Sequence, residues 1–283
     1  MKRIFPFLTL MLTISLSAAA QQRDDVNGDG VVDVSDASTI ITHVLNGTTN
    51  GASHLFIANN VIFEMLRVEG GTFTMGATAE QASDAFSDEL PTHKVTLSPF
   101  LIGKYEVSQT LWLAVMGENP SENSGFNLPV DNVTWNDCQT FITKLNELTG
   151  KNFRLLTEAE WEYAARGGNK NKGYKYSGSN NLDDVAWCQD NSNNASHAMG
   201  TKAPNELGIY DMTGNVMEWV SDWKGNYSSG AQTNPTGPDT GTKKVIRGGS
   251  SGNVERLSRI TNRNSMDPNM TSKYLGLRLC LSE

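Results

Sequence analysis

The amino-acid sequence predicts an α+β domain that is irregular and rich in loops, preceded by a small element made of a calcium loop and a helix. The 283 residues include 26 glycines but only 9 prolines, which is typical of a globular chain with many tight turns. Short alternating apolar runs predict brief strands, and two well-capped segments predict helices. Near the N-terminus, oxygen-bearing side chains are spaced as in a calcium loop.

The first twenty residues have the pattern of a signal peptide. Lys2 and Arg3 precede a mostly apolar run, and Ala18-Ala19-Ala20 supply small residues before Gln21. The run is too short for a membrane span. We therefore expect export from a bacterial cell, to the periplasm, the cell surface or the extracellular space. The formal net charge of −8 argues against nucleic acid or an anionic membrane as a partner. It agrees with cation binding or, alternatively, with a solvated acidic surface.

Residues 25–36, DVNGDGVVDVSD, have the spacing of a twelve-residue calcium loop. Gly30 stands at the sixth position, where the backbone must turn sharply. The predicted ligands are six residues that would wrap oxygen atoms around one cation: Asp25, Asn27, Asp29, Val31 through its carbonyl, Asp33 and Asp36. An Asp at the last position departs from the ordinary EF-hand and resembles the repeat of dockerin modules.

The segment after this loop, SDASTIITHVLNG, predicts a helix that also resembles a dockerin. Its apolar residues from Ile40 to Leu45 share one face, and Gly47 ends it. We therefore expect a single dockerin-like calcium repeat over residues 24–47 and a polar, turn-rich linker over residues 48–63. A dockerin has two such repeats. The resemblance accordingly implies either a cohesin-like partner or a calcium-stiffened spacer.

From residue 64 to residue 283 the pattern is that of a folded domain. Three runs predict strands: Phe73–Gly76, His93–Leu97 and Phe100–Ile102. Two capped segments predict helices: one from Thr134 to Gly150, and one from Thr157 to Gly167. The acids in the first turn of the second helix are those that a helix dipole favours, so they indicate architecture rather than catalysis.

Three cysteines, Cys138, Cys188 and Cys280, leave one unpaired at best in an exported chain. Cys138 falls on the apolar face of the first predicted helix, which favours a buried thiol. A bridge between Cys188 and Cys280 is compatible with the sequence, but their spacing does not require it.

The segment 208–223, GIYDMTGNVMEWVSDW, contains a second candidate calcium site. Asp211, Asn215 and Glu218 cluster around Gly214, which breaks any regular element. Two acids that flank a glycine turn, with backbone carbonyls between them, can form a calcium cage. The alternative is a bulged strand in which Asp211 caps a turn.

The segment from Arg247 to Cys280 is small, polar and poor in apolar residues, so it predicts an ordered loop held on a scaffold. It contains five arginines: Arg247, Arg256, Arg259, Arg263 and Arg278. It has no His, and no Cys before Cys280. Any chemistry in this loop must therefore proceed without the side chains that most often act as nucleophiles or metal ligands.

Motifs distributed along the domain resemble those of formylglycine-generating enzymes and sulfatase-modifying factors. They occur in the family's order: FTMG, DELPTHKVTLSPFLIGKYEVSQTLW, PVDNVTWNDC, RLLTEAEWEYAARGG, ELGIYDMTGNVMEW, RGGS and GLRL. The resemblance spans residues 64–281. It implies one asymmetric, irregular fold related to C-type lectins. It also implies a structural calcium ion held by Asp211, Gly214, Val216 and Glu218.

The activity implied by this resemblance is oxidation of a sulfatase cysteine to formylglycine, with copper held by two cysteines. Aligned from the GGS motif, those two positions are Asn253 and Ser258, neither of which is a soft ligand for Cu(I). Tryptophans usual in the family are also replaced, by Ser251 after GGS and by Met217 in the GN motif. Copper is therefore not expected.

The sequence is compatible with two functions. The first is a secreted, non-catalytic module that binds an unknown protein or glycan through the loop. Its predicted ligand residues are Ser250, Ser251, Asn253, Arg256, Ser258 and Arg263. The second is a formylglycine-generating oxidoreductase with an altered metal site.

Overall fold

The computed structural model describes residues 53–81, 83–125 and 127–283. The predicted signal peptide, the calcium loop over residues 25–36 and the dockerin-like repeat lie outside these residues. In the described part of the chain, no helix combines the length and apolar character needed to cross a membrane.

The described residues form short strands and few helices, as the sequence predicts. The strands are β1 Ser53–Ala58, β2 Val61–Val68, β3 Gly71–Met75, β4 His93–Leu97, β5 Phe100–Gly103, β6 Phe153–Leu155, β7 Met217–Trp223, β8 Gln232–Thr233, β9 Lys244–Arg247, β10 Asn264–Met266, β11 Leu275–Leu277 and β12 Leu279–Ser282. The α-helices are α1 Gln109–Met116, α2 Trp135–Thr149, α3 Glu158–Ala165 and α4 Leu182–Val185. Short 3₁₀ segments occupy Ala79–Gln81, Ser87–Glu89, Gly168–Lys170 and Glu255–Ser258.

The strands assemble into sheets of five, four and three within these ranges. The five-stranded sheet has the order β1-β2-β5-β12-β6 with antiparallel neighbours. The four-stranded sheet has the order β10-β9-β7-β11, in which β7 and β11 are parallel. The last described strand, β12, lies between β5 and β6 in the five-stranded sheet. The segment 247–280 is therefore fixed to the scaffold at both ends, through β9 and through β11 and β12.

Helices α2 and α3 begin at the residues that the sequence predicts. The hydroxyl groups of Thr134 and Thr157 accept hydrogen bonds from the backbone N–H groups of Asp137 and Glu160, and each Thr forms a capping box. Gly150 ends α2 in a left-handed conformation, with φ at 65°. The predicted helix starts are confirmed.

Two large apolar clusters hold these elements together. One packs α1 and α2 against the five-stranded sheet, with the rings of Trp112 and Phe141 stacked 4.8 Å apart. The other surrounds α3 and contains Trp161, Tyr163 and Ala164. The second cluster places α3 directly beneath the GGS turn, where a Cβ on Gly248 would lie 3.2 Å from the Trp161 ring.

The predicted linker over residues 48–63 is wrong from Ser53 onward. Residues Ser53–Ala58 form the edge strand β1, which pairs with β2 from Val61. Aromatic contacts hold this strand in place, because Phe56 stacks on Phe63 and packs against Phe153. The three cysteines are all buried and free, so the bridge left open between Cys188 and Cys280 is not formed.

Candidate functional site

The GGS turn begins where β9 ends at Arg247. Gly248 and Gly249 both have positive φ angles, at 95° and 70°. A Cβ on Gly249 would lie 2.8 Å from the Cα atom of Ser258, so only glycine lets the turn pack on the 3₁₀ segment Glu255–Ser258. The turn therefore brings Asn253 and Ser258 into one short loop. These are the two positions that align with the copper-binding cysteines of formylglycine-generating enzymes.

The side chains at these two positions are hydrogen-bonded within that loop. Asn253 accepts a hydrogen bond at its Oδ1 atom from the hydroxyl of Ser250, at 2.9 Å. The Asn253 carbonyl accepts a second from the N–H of Gln189, at 3.0 Å. The Ser258 side chain is fully buried, and its hydroxyl donates to the Val254 carbonyl at 3.5 Å. Neither side chain supplies a thiolate.

The structure separates the predicted ligand residues by their exposure. Ser250, Ser251 and Ser258 are fully enclosed, and Ser251 is pinned by a hydrogen bond from Ser192 to its carbonyl. Asn253 is half-buried, whereas Arg256 is exposed and lies over the ring of Phe86. The small serines therefore pack the inside of the turn. A ligand on the outside of the loop would meet Arg256 and its exposed neighbours.

The remaining predicted ligand, Arg263, belongs to a buried set of ion pairs that we call the arginine layer. This layer consists of Arg166, Arg247, Arg259 and Arg263 with Glu89, Glu158 and Glu162. It joins α3 and the segment Ser87–Glu89 to the predicted ligand loop. The layer contains four guanidinium groups and three carboxylates. A further carboxylate, on Glu80, pairs with Arg166 and balances the remaining positive charge.

Each pair in the arginine layer has the geometry of a strong, charge-assisted contact. Arg263 donates from Nε and Nη2 to the two oxygens of Glu158, at 2.6 and 2.7 Å. Arg259 and Glu89 make a second bidentate pair, in which both side chains are fully buried. Burial alone would raise the pKa of Glu89, but hydrogen bonds from Arg259 and Thr261 hold it below its ordinary value.

The second candidate site, around the GN turn, is also buried but carries a different balance of charge. We call it the acidic turn, and it consists of Glu106, Asp211, Asn215 and Glu218 with Arg278. Gly214 lies within the turn. Glycine is required there, because a Cβ would lie 2.4 Å from the Trp187 carbonyl oxygen. Positive φ angles at Asp211, Gly214 and Asn215 curl the backbone around this point.

The contacts of the acidic turn account for one of its carboxylates. Glu218 accepts hydrogen bonds from Arg278 at one oxygen and from the Trp161 ring N–H at the other, at 2.7 Å each. Asp211 accepts a hydrogen bond from the Gly200 N–H at 2.6 Å. Burial first, and then the charge of Asp211, raise the pKa of Glu106 well above its ordinary range. The charge of Arg278 acts on all three carboxylates.

This excess of buried negative charge fits a hard cation by ligand type. Within residues 53–81, 83–125 and 127–283, no three His, Cys, Asp or Glu side chains gather to hold a metal ion by themselves. A calcium ion at the acidic turn would therefore depend on the backbone carbonyls that the resemblance implies, those of Gly214 and Val216. Without a cation, the raised pKa of Glu106 favours its protonated form, which lessens the charge.

Sequence reasoning did not identify the carboxylate partners of the loop arginines. Glu158 and Glu162 carried a visible signal, three acids in one helical turn, but this signal has an ordinary explanation in the helix dipole. Glu89 and Glu106 had no local signal. Their partners lie far along the chain, with Arg259 separated from Glu89 by 170 positions.

Comparisons with known proteins agree with this architecture. Residues 56–282 match the family of the sulfatase-modifying factor enzyme 1-like domain. Chaperone protein LppX of Paenibacillus barcinonensis is 33% identical over 272 residues, which cover 78% of this chain and 90% of that protein. The formylglycine-generating enzyme of Thermomonospora curvata is 28% identical over 287 residues, which cover 76% of this chain and 92% of the enzyme.

A solved structure gives the same result. Treponema denticola variable protein 1 superposes with a TM-score of 0.75 at 30% identity, over 83% of this chain and 100% of that protein. The family match begins inside β1 and ends in β12, so it includes both candidate sites. The chain belongs to the family of the sulfatase-modifying factor enzyme 1-like domain.

Proposed function

We propose that this protein is a secreted, non-catalytic member of its family that binds a protein or glycan ligand. The proposal rests on which side chains occupy positions 253 and 258 and on how they are held. Asn253 is hydrogen-bonded to Ser250, and Ser258 is enclosed within the loop. An amide and a hydroxyl are hard ligands, and they do not replace the two thiolates that bind Cu(I) in formylglycine-generating enzymes.

The cysteines elsewhere in the domain do not restore such a pair. Cys138 lies in α2 and Cys280 in β12, and burial first of all raises the pKa of both thiols well above the ordinary value. Cys188 is nearer to the loop, since the N–H of the next residue, Gln189, donates to the Asn253 carbonyl. One buried thiol does not make a two-thiolate copper site.

The ligand face that we propose is the exposed outside of the loop. Val254 and Met270 leave 48% and 57% of their surfaces open to solvent, which is unusual for apolar side chains. Arg256 adds an exposed guanidinium near Val254. Apolar and cationic side chains presented on a rigid, arginine-anchored loop suit recognition of another molecule. The relative called a chaperone, LppX, is in keeping with a binding role.

The test is incubation of the purified protein with copper, oxygen and a cysteine-containing sulfatase peptide, followed by mass spectrometry. We expect no formylglycine and no tight Cu(I) binding. The matched variant carries both Asn253→Cys and Ser258→Cys, and we expect it to gain Cu(I) binding. Formylglycine produced by the unmodified protein at enzymatic rates would overturn the proposal and favour an oxidoreductase with an altered metal site.

We further propose that the protein binds calcium, at the acidic turn and at the predicted loop over residues 25–36. The charge excess around Glu106 supports the first site, and the ligand spacing supports the second. Calorimetric titration of Asp211→Ala and Asp29→Ala separates the two, since each variant should lose one site. If the unmodified protein binds no calcium, both assignments are wrong. A cohesin-like partner depends on the second site alone.

A further inference from the structure

A cavity of about 440 Å³ lies away from the acidic turn and the exposed loop face, at the N-terminal end of α3. It is lined by Glu158 and Asp222 and by residues of the segment 225–238 that follows β7. Met75 and Ala159 add apolar surface. The two functions discussed above make no use of this cavity.

Asp222 is 4% exposed, and only one of its carboxylate oxygens is hydrogen-bonded. Its Oδ2 atom accepts hydrogen bonds from the Glu158 N–H and from the Ser221 hydroxyl, both at 2.9 Å. In the described part of the chain, no donor reaches its Oδ1 atom. The Oδ1 atom is therefore an open acceptor at the cavity, available to a ligand or to water.

Gly237 keeps the space in front of this oxygen open. A Cβ on Gly237 would lie 3.0 Å from Asp222 Oδ1 and 3.0 Å from Asp222 Cβ, and the glycine has a φ of 71°. The missing side chain leaves room for an atom of a ligand beside the carboxylate, and the positive φ disfavours any residue other than glycine there.

The other polar groups of the cavity also favour a ligand that donates hydrogen bonds. The Nδ1 atom of His93 lies 3.2 Å from the Pro91 carbonyl, so Nδ1 is the donor in that contact. Arg263 is the cationic side chain of the wall, but its donors are taken by Glu158 and by the Asp88 carbonyl. Glu158 is paired with Arg263, so Asp222 is the lining carboxylate that has no ion pair with a residue of the cavity.

We propose that this cavity binds a primary ammonium group, carried either by a small amine or by a lysine side chain of a polypeptide. The ammonium donates to Asp222 Oδ1, and its alkyl chain lies against Met75 and Ala159. Burial, and next the charge of Glu158, raise the pKa of Asp222 to about 7. A bound cation offsets both effects and stabilises the ionised carboxylate. The guanidinium among the lining residues is that of Arg263, and its donors are taken, so an anionic ligand would meet Asp222 without a free cationic donor from the lining.

The experiment is a titration of the isotope-labelled full chain, followed by the amide chemical shifts around the cavity. The first pair of probes is n-butylammonium and the neutral, similarly shaped n-butanol. The second pair is a blocked Gly-Lys-Gly peptide and the same peptide acetylated at the lysine amine. We expect saturable shifts with a cationic probe and none with either neutral probe.

Two variants and one control locate the binding. Gly237→Ala fills the space beside Oδ1, and Asp222→Asn keeps the acceptor for Glu158 but turns an amide donor toward the cavity. We expect each to weaken binding roughly tenfold or more, because a charge-assisted hydrogen bond is lost. Gly230→Ala is the control, since a Cβ there meets only the Ser228 hydroxyl, at 3.6 Å.

The two cationic probes distinguish small amines from a lysine side chain as the ligand. Binding of butylammonium alone assigns the site to small amines, and binding of the lysine peptide alone assigns it to a polypeptide. Both outcomes support the proposal. Equal binding of charged and neutral probes, unchanged affinity in Asp222→Asn, or no saturable shift with either cation would overturn it.

Discussion

The arginine layer and the acidic turn are both buried, but only the first is balanced in charge. In the arginine layer every carboxylate has a guanidinium in direct contact, as in the pair of Glu89 and Arg259. In the acidic turn Arg278 pairs with Glu218, while burial and then the charge of Asp211 raise the pKa of Glu106. In a balanced buried network each charge is satisfied by its partner, so removing one partner is strongly destabilising. An unbalanced one also requires a proton or a cation, which makes it sensitive to pH and to metal ions.

The largest effect is expected from breaking a pair within the arginine layer. Arg259→Met leaves the buried Glu89 carboxylate without its bidentate partner, at a cost of about 3–5 kcal/mol in the free energy of unfolding. Denaturant unfolding monitored by circular dichroism measures this cost. Arg256→Met is the matched control three residues away, because Arg256 is exposed. We expect its cost to lie within about 1 kcal/mol. Equal effects of the two substitutions would show that the layer does not anchor the loop.

The second effect concerns Asp222, a buried carboxylate that borders the arginine layer without joining it. The charged groups around it are Glu158, Glu160, Lys244 and Arg154. Burial and then the charge of Glu158 raise its pKa to about 7, from 3.8. Between these pH values the native state keeps a proton that the unfolded chain releases. The free energy of unfolding therefore falls as the pH rises through this window.

Asp222→Asn should remove that part of the pH dependence. Relative to the unmodified protein, we expect the variant to gain about 2–4 kcal/mol between pH 4 and pH 8. Urea unfolding at several pH values measures the difference, and the exposed Asp239→Asn is the control. If the difference between Asp222→Asn and the unmodified protein does not change with pH, the Asp222 carboxyl is not held protonated by its surroundings.

Much of the scaffold could be predicted from local sequence because its determinants are local. Thr134 and Thr157 cap helices through residues three positions away, and β4 matches the predicted run His93–Leu97. The edge strand β1 was missed because its six residues are short of apolar alternation and follow a polar stretch. Its place in the fold depends on Phe153, nearly a hundred positions later.

The candidate site was harder to predict because polarity in sequence does not reveal burial. The loop arginines look like a ligand surface until their partners are known. The partner of Arg263 is Glu158, 105 positions earlier, and the pair is buried. The serines of the GGS turn were similarly ambiguous, since small polar residues suit both a packed turn and an exposed one. The sequence does identify the side-chain chemistry of the site, because neither Asn253 nor Ser258 has a thiol.

The smallest expected effect on the free energy of unfolding is stabilisation by calcium. It distinguishes the acidic turn from the arginine layer. At a free calcium concentration tenfold above the dissociation constant, one site adds about 1.4 kcal/mol to the free energy of unfolding. Asp211→Asn should abolish the share that comes from the acidic turn, whereas Asp29→Ala should leave it intact.

Calcium and protons should compete at the acidic turn, because each relieves the same excess of negative charge. Burial and the charge of Asp211 favour the protonated form of Glu106, so its raised pKa opposes calcium at low pH. The stabilisation by calcium should therefore grow as the pH rises, and thermal unfolding with and without calcium at pH 5.5 and 8 measures this trend. The arginine layer has no such excess, so calcium should leave the cost of Arg259→Met unchanged. Calcium stabilisation that is independent of pH and survives Asp211→Asn would place the cation elsewhere. The acidic turn would then be balanced by its proton alone.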